Sequence, residues 1–260
     1  MAAVLLMFFA VLARPLAADE RSSGHSSEGL LSVEPVHFAT TSVKPWGIRA
    51  AGTNQGLLVS FVEALEQQTG IPIANELQPY PRVVHSLHSG HVDFAILFDS
   101  EFSKQAAIRI GHIVDTSMIV VARTGSPQMK SLDELQGKKV GLIRGSKYGA
   151  AFDEATHFKR IQVSNMEQGL AMLLRDRVDV MVGTDQALFW AMQKMDVGAK
   201  RLSKVFVLAG ATGSLYASKH SSRLDLIPVY ERALQTLRDN GTLDRIFDTK
   251  YEWAPSEFID

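Results

Sequence analysis

The sequence predicts an α/β fold made of two successive strand–helix units, and three observations carry that prediction. Short β-type runs alternate with amphipathic helical runs from Val33 onward. The alternation restarts near Ser131. The runs 92–97 and 178–182 are apolar on both faces, as strands buried in a parallel sheet are.

The elements follow in order. Residues 36–40 are strand-like, and Pro45, Trp46, Gly47, Gly52, Thr53 and Asn54 make a loop. Leu57, Leu58, Phe61, Val62 and Leu65 recur at helical spacing, with Gly70 placed as a C-cap. A strand is expected over 71–76, a helix opened by Pro81 and ended by Gly90, then a strand over 92–97. In the second unit, Ser131 and Glu134 have capping-box spacing on a short helix closed by Gly137. Strands are expected at 139–143, 161–163 and 178–182. Helices are expected from Gly145 and Ser146 to Ala155, from Met166, and over 186–194. Separate strands at 204–208 and 214–217 follow, then a long helix over 223–239 stopped by Gly241. Thr242 is expected to cap a last short helix.

Composition narrows the chemistry. The 260 residues are 46% hydrophobic and 21% charged, with a net charge of −1, a soluble balance with no electrostatic reason to expect nucleic acid. With no cysteine, disulfides, thiolate nucleophiles and thiolate metal sites are excluded. His85, His88 and His91 read better as a solvated face than as metal ligands, so neither metal nor cofactor is expected. The apolar run 1–13, ending near Leu16, Ala17 and Ala18, reads as a signal peptide over 1–18, with a disordered lead-in over 19–32. Localisation is therefore expected to be periplasmic.

Several segments together carry a resemblance. Residues 131–146, SLDELQGKKVGLIRGS, resemble the opening of the second lobe of family 3 solute-binding proteins, the periplasmic receptors of polar amino-acid ABC importers. LHSGHVDFAI (87–96), LLRDRVDVMV (173–182), LYASK (215–219) and LRDNGT (237–242) are similar to that family in order and spacing. The resemblance spans about 36–251. It implies a two-lobed periplasmic-binding-protein fold of type II, each lobe a mostly parallel sheet flanked by helices. Lobe 1 would cover 33–122 plus 212–253 and lobe 2 123–211, with crossover strands near 119–122 and 213–218 and a tail over 254–260. A ligand held between the lobes would favour their closed form.

Ten residues are candidates for binding. Trp46 sits where the family often places an aromatic wall; its alternative is to cover its own loop. Arg82, a cation in a first helical turn, opposes the macrodipole and suits a carboxylate clamp or a solvated surface. Phe98, Asp99 and Ser100 follow a strand's carboxyl end, where α/β clefts bind ligands. Asp99 would pair an amine or cap a turn. Gly145 and Ser146 would offer helix-terminal N–H groups and a hydroxyl, or a plain N-cap. The sequence departs from the family at two places. Lys104 stands where an arginine usually clamps the ligand's carboxylate, and lysine lacks the bidentate fork. Thr184 stands where an aspartate usually holds the ammonium, with Asp185 one residue later.

The reading is an exported, monomeric receptor capturing a small polar, carboxylate-bearing, amino-acid-like molecule for an ABC permease. The alternative is a periplasmic dehydratase-type enzyme on the same scaffold, with Asp99 and Asp185 as acid and base.

Overall fold

The computed structural model describes residues 34–198 and 200–248, so the expected signal peptide, lead-in and tail lie outside the described residues. The chain begins with three strand–helix pairs: β1 (Val36–Thr41) with α1 (Leu57–Thr69), β2 (Ile73–Gln78) with α2 (Tyr80–His88), and β3 (Phe94–Phe98) with α3 (Glu101–Ala106). The long strand β4 (Ala107–Arg123) leads to a second set: β5 (Lys139–Ile143) with α4 (Ala150–Glu154), β6 (Lys159–Val163) with α5 (Met166–Leu173), and β7 (Val180–Thr184) with α6 (Asp185–Lys194). A second long strand, β8 (Leu202–Ser218), returns to α7 (Ile227–Asp239) and α8 (Thr242–Phe247).

All eight strands join one sheet in the order β2-β1-β3-β8-β4-β7-β5-β6. Strand β1 is parallel to β2 and β3, and β5 is parallel to β6 and β7. Between these two parallel blocks run β8 and β4, antiparallel to each other and to β3 and β7. The fold is thus the α/β class the sequence predicts.

Each block is covered on both faces. Phe38, Phe61, Leu65, Phe94 and Tyr230 are buried on one side of the first block, while Ala39, Val83, Leu87 and Ala95 are buried on the other. In the second block Val121, Leu170, Met181 and Leu188 share one core, and Val120, Val140, Phe152 and Val182 the other. Neighbours such as Phe38/Ala39 and Met181/Val182 enter opposite cores, following the two-residue strand period. Double burial explains why these strands lack a polar face in sequence.

Five local expectations are corrected. The runs 204–208 and 214–217 are one 17-residue strand, and 119–122 is part of another. The β4–β8 ladder shifts register at several points, so the strands bend past irregularities without breaking. Ser131 caps nothing: Glu134 Oε2 accepts from the Lys130 N–H at 3.2 Å, and only a single 3₁₀ turn forms over Asp133–Leu135. The helix expected from Ser146 begins at Ala150, after Gly149 in an extended, positive-φ conformation. Thr242 is the first residue of α8, not its cap; left-handed Gly241 precedes it. The long C-terminal helix starts at Ile227, after a 3₁₀ turn over Leu224–Leu226.

Candidate functional site

Two pairs of parallel strands, one from each block, end at one cleft. The last residues of β1, β3, β5 and β7, namely Thr41, Phe98, Ile143 and Thr184, all line one inner cavity of about 40 Å³. Carboxyl ends of parallel strands are where α/β sheets leave a crevice, because the chain turns there into covering helices. An outer chamber of about 340 Å³ shares Val43, Tyr80, Ile143, Ser146 and Met166 with the inner one and adds Lys44, Arg144, Ser164 and Glu167. The inner space holds only a few water-sized spheres; the outer one is in the range of small-molecule sites.

Both parallel blocks build the walls, and several contacts cross between them. Trp46, 3% exposed, follows β1 and donates its Nε1–H to Thr184 Oγ1 at 3.3 Å. Its ring packs edge-on against Phe98 with centroids 6.2 Å apart. Lys44 Nζ lies 3.0 Å from Glu167 Oε1 on α5 and 5.1 Å from the centre of the Trp190 ring. Gly145, after β5, has φ +74, and a Cβ there would stand 2.6 Å from Pro81 Cγ on α2. Only glycine adopts that backbone cheaply and also admits the proline ring.

Hydroxyl groups dominate the polar lining, and the chain itself supplies four of the five with an N–H donor. Thr41 Oγ1 accepts from Val43 N–H at 3.3 Å. Tyr80 Oη accepts from Phe98 N–H at 3.3 Å, and Tyr148 Oη from Ile143 N–H at 3.1 Å. Thr184 Oγ1 accepts from both Trp46 Nε1–H and Ala187 N–H. Burial pushes the Tyr80 and Tyr148 phenols up to about 12, with those backbone N–H bonds only partly opposing it. Lys147 lines the inner cavity, and no Asp or Glu does.

The sequence candidates divide. Trp46, Phe98, Ser146 and Thr184 line the cavity, and Gly145 flanks it against Pro81. Ser146 sits in a loop rather than at a helix start, so it offers a hydroxyl without helix-terminal N–H groups. Asp99 lies apart, accepting from Arg109 Nε at 3.0 Å and Tyr216 Oη at 2.8 Å. Ser100 caps α3 in a reciprocal box with Ser103. Lys104 pairs with Glu101 on its own helix at 3.3 Å. Asp185 accepts from Thr116 Oγ1, Ser117 N–H and Gln186 N–H, tying α6 to β4. Arg82 is exposed on α2 and lines none of these cavities. Asp99 and Asp185 therefore do not face each other across the cleft. Thr41, Tyr80, Lys147 and Tyr148 are not among the sequence candidates; the strand-end rule that points to Phe98 also points to Thr41 when applied to β1, and Lys147 and Tyr148 directly follow the candidate Ser146.

The family model for bacterial extracellular solute-binding proteins, family 3, matches residues 36–252. No curated protein matches the sequence significantly. Among solved structures, an ancestral arginine-binding protein bound to arginine has a TM-score of 0.71 at 20% identity, covering 85% of this chain and 98% of that one. The arginine-, lysine-, histidine-binding protein ArtJ from Geobacillus stearothermophilus has a TM-score of 0.68 at 18% identity, covering 86% and 97%. A histidine kinase sensor domain with similarity to periplasmic binding proteins has a TM-score of 0.69 at 19% identity, covering 85% and 96%. At these identities the likeness establishes the fold.

Proposed function

We propose, from the premise that this chain belongs to family 3 of the bacterial extracellular solute-binding proteins, that it captures a small, polar, carboxylate-bearing molecule for an ABC importer. One observation carries the reading: strand ends from both parallel blocks, Thr41 and Phe98 with Ile143 and Thr184, converge on one cleft. We read these blocks as the two lobes and β4 with β8 as their hinge. A ligand touching both lobes favours their approach by its differential affinity for the closed form. Lys147 and Arg144 line the cleft with no ion-pair partner among the described residues, which suits an anion. Periplasmic residence fits the family and the apolar N-terminal run.

The test is a thermal-shift screen of the purified chain, unfolded and refolded to strip bound solute. The panel holds amino acids, di- and tricarboxylates, aromatic acids and amines. A compound at about 100 times its Kd adds about 2.7 kcal/mol, a shift of about 2–4 °C for a chain of this size. The reading expects a carboxylate hit, recovered chemically unchanged. A panel with no carboxylate hit overturns it, as does recovery of an altered compound. The importer role further predicts that the loaded chain stimulates ATP hydrolysis by a membrane-embedded ABC complex.

A further inference from the structure

A hydroxyl group has two acceptor sites and one proton. In the inner cavity four of the five such groups already accept at least one N–H from the chain. Thr41, Tyr80 and Tyr148 each accept one backbone N–H, and Thr184 accepts two N–H groups, which fill both of its lone pairs. Among the described residues, Thr41, Tyr80 and Thr184 have no acceptor for their own protons. Tyr148 Oη, which accepts from Ile143 N–H, likewise has no acceptor for its proton among the described residues. Thr41, Tyr148 and Thr184 are 8%, 5% and 7% exposed, so these protons are largely shielded from solvent. Lys147 adds further N–H donors. The one acid in the adjoining chamber, Glu167, is paired with Lys44.

We propose that the cleft selects an organic anion that offers acceptors but carries no ammonium group. An ammonium needs two or three acceptors and gains most from a carboxylate; here the polar side chains facing it are hydroxyls, four of them already holding N–H donors, and a lysine, with no Asp or Glu. Burying it without partners carries a desolvation penalty. A carboxylate, by contrast, meets hydroxyl protons from both blocks at once: Tyr80 and Thr41 on one side, Tyr148 and Thr184 on the other. Their N–H partners fix the hydroxyl oxygens, so the donors are preorganised for an acceptor group at the inner end. The rest of the molecule would occupy the outer chamber. This inference rests on the receptor reading above and sharpens it from carboxylates in general to carboxylates lacking an α-ammonium.

The experiment compares matched pairs by calorimetric titration of the refolded full chain: 3-phenylpropanoate with phenylalanine, 4-methylpentanoate with leucine, and glutarate with glutamate. In whichever pair binds, the member without the amino group is expected to bind at least ~10-fold tighter. Equal or tighter binding of the amino acid overturns the inference and leaves the receptor reading standing. Binding by neither member of any pair, with no carboxylate hit in the wider screen, removes the receptor reading and the inference with it. Thr184→Asp keeps an N-cap for α6 and places a carboxylate in the cleft. It is expected to reverse the preference within the binding pair; an unchanged preference overturns the donor-only account. Tyr80→Phe keeps the ring and removes one proton, and is expected to weaken the preferred anion by about 3- to 10-fold. Unaltered binding by that variant also counts against the proposal.

Discussion

Substituting Gly145 by alanine probes the point where the two parallel blocks press together. Two separate costs arise. The residue holds φ +74, a left-handed conformation costing a non-glycine residue about 1–2 kcal/mol wherever the blocks sit. The new Cβ also stands 2.6 Å from Pro81 Cγ, while carbon atoms settle at about 3.5–4.0 Å. Relief requires the loop and α2 to part by about 1 Å. The Trp46 Nε1–Thr184 Oγ1 bond, already 3.3 Å long, is then lost, along with about 1 kcal/mol of net hydrogen bonding. The Gly145→Ala chain should therefore melt lower and bind the best hit of the screen about fivefold more weakly, since 1.4 kcal/mol is a factor of ten and about 1 kcal/mol a factor of about five. Pro81→Ala removes the offending ring atoms but not the backbone strain. The double variant should regain most of the affinity while keeping part of the lowered Tm. Calorimetric titration and melting of the four proteins measure both quantities. Unchanged affinity in Gly145→Ala, or a double variant no better than the single one, would refute the claim that this contact limits closure.

Three further expectations follow from the same geometry. The Lys44–Glu167 pair is 42% and 27% exposed at its side chains, so a double-mutant cycle should give at most about 1 kcal/mol of coupling that shrinks in salt; a larger, salt-independent coupling would contradict a partly solvated pair. Asp185→Ala strips β4 and α6 of a shared anchor at Thr116, Ser117 and Gln186 and should lower stability by about 1–3 kcal/mol, with ligand affinity nearly unchanged; a loss of affinity without a loss of Tm would restore it as a ligand contact. Burial pushes the Tyr148 and Tyr216 phenols from 10.0 up to about 12, so their contribution is intact below pH 10 and is lost as pH rises towards 12. Each should cost on the order of 2–3 kcal/mol over that window. The urea midpoint should fall steeply there and less steeply in Tyr216→Phe; a flat midpoint would contradict the burial.

The sequence made the architecture legible because its main determinants are local. Apolar runs such as 92–97, and glycines at helix ends such as Gly70, with φ 69, mark elements without tertiary information. The long strands were harder. Their continuity depends on partners far away in sequence: Ser214 in β8 faces Leu97 on one side and His112 on the other. The site was legible in part. Trp46, Phe98, Ser146 and Thr184 could be placed from loop position and strand ends. Asp99 and Asp185 could not be excluded, because nothing local reveals that Tyr216 and Arg109, or Thr116 and Ser117, will engage their carboxylates. Tyr80 and Tyr148 were missed for a related reason. A tyrosine in a loop or first helical turn reads as packing until its phenol is found on a strand-end N–H.

Hydrogen exchange read by mass spectrometry, with and without the strongest carboxylate hit, tests the central claim most directly. Binding between the two blocks should slow exchange together at 41–46 and Phe98 on one side, and at 143–148 and 184–187 on the other. Protection confined to one block, or found away from these strand ends, would contradict a ligand held between them.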